Sequence, residues 1–562
     1  MFLPSRKYVG AVVLSVLSGA LLALAMSGPV LERGLGFLAP VALVPLFVAL
    51  DLLPSQATPN LKPYMRVTRL TPFGRFLMAL GLVWIAGSTF VGMSFSWIVV
   101  PILRFFHVSY PAAYVLNMLY CLVCGLYLPI LLFPFLLNSA RSVRKFAEPF
   151  PLWTMVVVAT AIEVWFPRLW PWTLGGLVQG SHALEQWISV FGASALTPLV
   201  LISSAYVART VVGAGAGFVR FLLTFSSVAL VWLVVWGLGS WRYEVLSSRV
   251  AELKKSEIVA IRPNFVPLSH FRFELPSKAE NLGKLIALSH AALSERVVAT
   301  GKPDLVIWPE GVLPEDFLTT PDNLTAVRAL SAKTNVPVLL SATEFDAAEI
   351  ASHGMEQARA LNSAFLVRAD GSRSESYYQK ELVPFLDVAP FSEVAPFLSQ
   401  AIHDVFPARR FEERQTIMSI PYSPDFRVAN LISFDVSSWN FARKMVSRAE
   451  VGFFAHQSNG VFVDGTAAMR LMEAMVRLRA IETGRSIVSV SNTEKPVAFD
   501  PLGRDISPIV ESSSNWSFFL VPVFDSESFR STFYTDFGNF PLAVATFFAL
   551  FVLALASFRR AR

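Results

Sequence analysis

Cys121 and Cys124 are the only two thiols in 562 residues, and they stand at CxxC spacing. That spacing suits a redox dithiol. Both lie inside an apolar run, where two thiols packing against neighbouring helices are the expectation. Two cysteines also exclude a disulfide framework and a four-cysteine metal site. The seven histidines are scattered without metal-ligand spacing. A carboxylate, Glu163, falls in another apolar run. Deep in a membrane such a group is commonly functional, while near a helix end it simply reaches water, and the residues alone leave both readings open. Gly213-Ala-Gly-Ala-Gly217 lacks the preceding strand and the lysine of a phosphate loop, so it reads as helix packing or loop. The remaining reactive side chains fall between residues 241 and 539, a stretch without any cysteine.

Those side chains need elements to hold them, and the composition says what kind. Apolar residues make up 54% of the chain and charged residues 16%, against about 25% in a soluble globular protein. Disorder is excluded and a mostly membrane-embedded protein is expected. Apolar runs fall at about 8–26, 36–53, 76–100, 111–137, 151–166, 186–208 and 218–240, with an eighth at 540–558. The expected architecture is therefore a polytopic α-helical bundle of about eight spans. With the N-terminus in the cytoplasm, the cytoplasmic loops and tail hold fourteen Lys and Arg residues, from Arg6 to Arg562. The opposite short loops hold only Arg33, Arg104 and Arg168. This positive-inside asymmetry places both termini in the cytoplasm and the segment after 240 on the outer side. The net charge of +6 is thus a topological signal, and no nucleic-acid partner is expected.

The outer segment has frequent charges and short apolar runs. Strands are expected at 258–261, 305–308, 336–341, 364–367, 429–433, 451–455 and 487–491, and helices at about 281–299, 322–333 and 466–484. In the last helix Ala468, Leu471, Met472, Met475, Leu478 and Ile481 recur on a 3.6-residue period. Strands alternating with helices imply a layered α/β domain. The expected domains are 1–240 (seven spans), 241–535 (the α/β domain), and 536–562 (a last span and basic tail).

Four stretches of this domain carry a family resemblance. They are Leu305-Val-Ile-Trp-Pro-Glu310-Gly-Val-Leu-Pro314, Tyr377-Tyr-Gln-Lys-Glu-Leu-Val-Pro-Phe385, Asn430-Leu-Ile-Ser433-Phe-Asp435, and Arg477-Leu-Arg-Ala-Ile-Glu-Thr-Gly-Arg485. The last is followed by Ser491-Asn-Thr493 and Asp500-Pro-Leu-Gly-Arg504, and Ile261-Arg-Pro-Asn264 resembles the domain's start. Together they resemble the carbon–nitrogen hydrolase (nitrilase) superfamily. With flanking spans, the likeness is to its membrane-bound apolipoprotein N-acyltransferase branch. The resemblance implies an αββα sandwich and a bacterial inner-membrane location. It also implies transfer of an acyl chain from phospholipid to the N-terminal cysteine of a lipoprotein, with no metal or organic cofactor.

In that family a glutamate is the base, a cysteine thiolate attacks the acyl ester, and a lysine stabilises the oxyanion. Glu310 matches the base. Ser433 stands at the nucleophile position, and no cysteine elsewhere in the domain can replace it. Moving a proton from a thiol to a glutamate already costs roughly 6 kcal/mol before the site helps, and an alcohol is several pKa units worse. Serine enzymes solve this with histidine or lysine bases, and no histidine sits in these motifs. Ungapped alignment of Leu382-Val-Pro384 puts Gln379 on the lysine position. A single deletion between 380 and 382 would put Lys380 there instead, and in a strand one residue of slip turns the side chain to the other face. Asp387 and Asp435 match two supporting family glutamates, shortened. The family's Thr-Asn-Asp-Gly-Trp-Phe-like loop here reads Gln457-Ser-Asn-Gly-Val-Phe462, without its aromatic anchor and its acid. The phenylalanines of Pro390-Phe-Ser-Glu-Val-Ala-Pro-Phe397 either meet the outer leaflet, line a lid, or belong to an ordinary loop. The expectation is a scaffold whose reactive positions have drifted. Its partners would be membrane phospholipid, and lipoproteins or another membrane protein.

Overall fold

Among the described residues of this computed structural model, four helices are long and apolar enough to cross a membrane: Tyr8–Ala25, Pro72–Ser94, Tyr110–Leu131 and Phe218–Ala251. Shorter apolar helical stretches cover Gly36–Asp51, Leu152–Trp165, Thr197–Val212 and Phe540–Leu555. The structure describes residues 6–26, 30–31, 34–53, 71–106, 108–141, 150–168, 170–213, 217–265, 278–299, 302–314, 317–345, 351, 360–383, 418–508, 515–525 and 531–558. Asp387 and the 390–397 stretch lie outside the described residues.

Local chemistry sets the helix ends. Thr71 caps the helix Pro72–Ser94, its hydroxyl accepting the Gly74 N–H at 3.0 Å, and Pro72 occupies a first-turn position that needs no donor. The helices Pro72–Ser94 and Tyr110–Gly125 meet at Gly87 and Gly125, where a Cβ on either would run into the other's backbone. The apolar run expected as a span from 186 is broken. Gly192, at φ +78°, ends the short helix Ile188–Phe191, and the regular helix Thr197–Val212 restarts with a proline in its first turn. Glu163 does not reach water. It is fully buried, and its carboxylate accepts the Leu174 N–H at 2.7 Å and the Thr197 hydroxyl. Cys121 and Cys124 are free thiols on one helix.

The chain divides into two units, one of residues 1–99, 109–242 and 537–562, the other of 100–108 and 243–536. The second unit is a four-layer α/β sandwich. One sheet has the order β11-β1-β2-β3-β4-β5, with β1 Lys255–Ile261, β2 Leu305–Ile307, β3 Val338–Phe345, β4 Ala360–Val367, β5 Tyr377–Tyr378 and β11 Trp516–Pro522. The other has the order β10-β9-β8-β7-β6, with β6 Ile420–Pro421, β7 Arg427–Ile432, β8 Phe453–Ser458, β9 Ile487–Ser491 and β10 Val497–Phe499. Strands β1, β2 and β3 run parallel, as do β7, β8 and β9. Ile258, Ile307 and Leu339 of the first sheet pack with Val428, Phe453 and Val488 of the second in one fully buried cluster. Helices Lys278–Ala299 and Pro321–Thr334 cover the outer face of the first sheet, where Leu285, Leu330, Val306 and Phe365 share a core. Helices Trp439–Arg448 and Ala467–Thr483 stand against the second, burying Met445, Val446, Leu471 and Val476. Parallel strands aim their carboxyl ends, and the loops that follow, the same way, which is where ligand sites of α/β sheets form.

Candidate active site

Two of those loops, after β2 and β7, and the residues that follow the short β5 carry the expected site residues among the described residues. Trp308 follows β2 fully buried, its indole N–H donating to the Ser289 hydroxyl at 2.9 Å. The carbonyl of Trp308 accepts from the Gln457 side chain at 2.6 Å, and Gln457 accepts in turn from Asn430 at 2.6 Å. This pins the loop after β2 to the β7 and β8 strands of the other sheet. Gly311 then turns at φ +66°, so close to Asn459 that a Cβ would lie 2.9 Å from its amide. Glu310 is left half-buried at the turn.

Asn362 of β4 joins Glu310 to Gln379. Its amide donates to Glu310 Oε1 at 2.6 Å and to Gln379 Oε1 at 2.7 Å. The Gln379 N–H donates back to the Asn362 carbonyl at 2.9 Å, and the Gln379 side-chain amide donates to the Glu381 carbonyl at 2.8 Å. Gln379 is 2% exposed. The side chain of Gln379 thus lies against Asn362, whose amide also reaches Glu310. Lys380, half-buried, donates its backbone N–H to Asp435 at 2.8 Å.

Asp435 is a clasp. One carboxylate oxygen accepts the N–H groups of Lys380 and Glu381, each at 2.8 Å. The other accepts the Tyr377 hydroxyl at 2.6 Å and the Ile432 N–H at 2.9 Å. The β5 loop is thereby fastened to the turn that follows β7. That turn begins at Ser433, at φ +50°, a left-handed backbone uncommon outside glycine and asparagine. Ser433 is half-buried. Its carbonyl lies 3.0 Å from His456 Nε2, and His456 Nδ1 lies 2.8 Å from the Ser489 hydroxyl.

Electrostatics follow from burial. Loss of water raises the Asp435 carboxyl to about 7, against the lowering pull of the Tyr377 hydroxyl and the N–H groups around it. Burial likewise raises Glu482 to about 7, opposed by Arg479, whose guanidinium lies 2.9 Å away. Burial lowers His456 to about 4. Both carboxyls hold their protons to higher pH folded than unfolded, so their stabilising contribution, complete at acid pH, is lost as pH rises through 7. His456 acts oppositely, chiefly below its unfolded value of about 6.5. Between pH 6.5 and 8 the two carboxyls outweigh the fading contribution of His456, so the thermal midpoint of the full chain should fall across that interval. Asp435→Asn should flatten the slope, and a rising midpoint in the wild type would contradict this assignment.

Asn362 and His456 were not among the residues singled out from sequence. Each is a polar residue beside apolar ones in a buried strand, and that was the available signal.

No family model matches the chain. "Apolipoprotein N-acyltransferase 2" of Leptospira interrogans is 22% identical over 558 residues, covering 84% of this chain and 88% of that protein. The chain resembles the apolipoprotein N-acyltransferases. A second protein of that name, from Bradyrhizobium diazoefficiens, is 25% identical over 244 residues, 42% of this chain and 43% of its own length. Among solved structures, an amidase from Nesterenkonia sp. covers 48% of this chain and 90% of its own at 15% identity, with a TM-score of 0.33. Against the N-acyltransferase pattern set out above, the loops assemble Glu310, Asn362 and Gln379 at one point, and fasten the β5 loop to the Ser433 turn through Asp435.

Proposed function

We propose that this protein is a bacterial inner-membrane relative of the apolipoprotein N-acyltransferases that binds phospholipid or lipoprotein without transferring an acyl chain. Its termini would be cytoplasmic and its α/β unit extracytoplasmic, as the loop charges favour. One observation supports the reading: where the resemblance, aligned without a gap, calls for a thiol and a lysine, the sequence has Ser433 and Gln379, and the Gln379 amide bonds to Asn362. A neutral amide gives an oxyanion one hydrogen bond and no charge. Glu310 as base is far too weak for an alcohol.

A second reading, acyl transfer through Ser433, is favoured by its left-handed backbone, since strained turns at strand ends are where nucleophiles are presented. Complementation separates the two. In cells depleted of their own N-acyltransferase, wild type and Ser433→Ala are both expected to leave lipoproteins without the N-linked acyl chain. Restoration by wild type but not by Ser433→Ala or Glu310→Gln would establish the second reading.

A further inference from the structure

A left-handed backbone at a residue with a Cβ costs about 1–2 kcal/mol, so something must hold Ser433 there. Asp435 bonds to the N–H of Ile432, which precedes Ser433, and to the β5 loop. The carbonyl of Ser433 itself meets His456 Nε2. His456 belongs to β8, one strand over from β7, with its Cα paired to Leu431 on one side and Ser489 on the other. Its ring is fully buried. A carbonyl oxygen only accepts, so Nε2 must carry the hydrogen. In a neutral imidazole Nδ1 is then the acceptor, and the Ser489 hydroxyl donates to it. The depressed pKa noted above agrees with a neutral ring.

We propose that His456 is a positioning residue: as a neutral imidazole oriented by Ser489, it holds the Ser433 carbonyl and so fixes residue 433 in its left-handed turn. The ring is not a base for the Ser433 hydroxyl, because the nitrogen facing the turn is occupied as a donor. The assignment goes beyond the proposed function and holds whether or not acyl transfer survives. It also says why a histidine follows Phe453, Phe454 and Ala455 in β8.

The test is amide hydrogen exchange of the full chain in lipid nanodiscs, read at Ile432 and Ser438, whose N–H groups bond to Asp435 within the turn. Releasing the backbone from a left-handed basin should speed their exchange roughly five- to thirty-fold in His456→Ala. His456→Gln, which can donate to the carbonyl and accept from Ser489, should stay within about threefold of wild type. The telling arm is His456→Ala with Ser433→Gly: glycine needs no holding in that conformation, so protection should return. Val490→Ala, a fully buried truncation on β9, controls for a cavity and should leave the turn unchanged. His456→Met, similar in bulk but without a donor, replaces alanine if alanine does not fold. Unchanged exchange in the donor-less variant, failure of glycine to rescue, or an equal effect of Val490→Ala would each overturn the proposal.

Discussion

Replacing Asp435 with alanine is expected to destabilise the α/β unit by about 4 kcal/mol. The carboxylate is fully buried and accepts from three backbone N–H groups and one phenol hydroxyl. Alanine leaves all four donors unpaired in a dry site, and each unpaired buried donor costs about 1–3 kcal/mol less whatever relaxation recovers. Tyr377→Phe removes one donor together with its burden, and so should cost only about 1 kcal/mol. Chemical denaturation of the purified chain, followed by circular dichroism, checks both. A loss under 1 kcal/mol for Asp435→Ala would mean that the clasp is dispensable.

Ser433→Cys combined with Gln379→Lys is expected to gain a thioester-linked acyl chain on incubation with phospholipid, where wild type gains none. An alcohol hydroxyl ionises several units above a thiol, which ionises near 8.5, and each unit is worth about 1.36 kcal/mol. The lysine adds the positive charge that Gln379 cannot supply, at a position 2.7 Å from Asn362 and one amide removed from Glu310. Ser433→Cys alone should react detectably but slowly. A hydroxylamine-labile adduct on the double variant, seen by intact mass, is the readout. An adduct of equal yield on wild type would show that neither substitution mattered.

Much of the scaffold was legible because it repeats one rule. Strands β1 to β4 and β7 to β9 are runs of apolar residues between turn signals, and each overlaps an expected strand. β5 and β6 are two residues long, too short for any period to show. The helix Trp439–Arg448 was missed although Phe441, Ala442, Met445 and Val446 fall on one face, because its ten residues span fewer than three turns. In the membrane unit one apolar run masked a break, since Gly192 and Pro198 change the backbone without changing hydropathy.

The site was legible in part. Glu310, Ser433 and Asp435 could be named because their motifs are local. The placement of Gln379 could not, because pairing register decides it: Tyr377 opposes Ala364, which carries Gln379 to the carbonyl of Asn362. The Asn362 bridge spans 52 residues to Glu310, and the His456 contact spans 23 to Ser433. Such neighbours are set by the sheets.

The account depends on the hydroxyl at 433 staying unacylated. Wild-type protein, purified from its membrane and again after incubation with phospholipid, should be digested and the peptide spanning Ser433 weighed. The account expects that peptide at its unmodified mass in both samples. A fatty acyl ester on Ser433 that turns over when a lipoprotein amino terminus is added would contradict it.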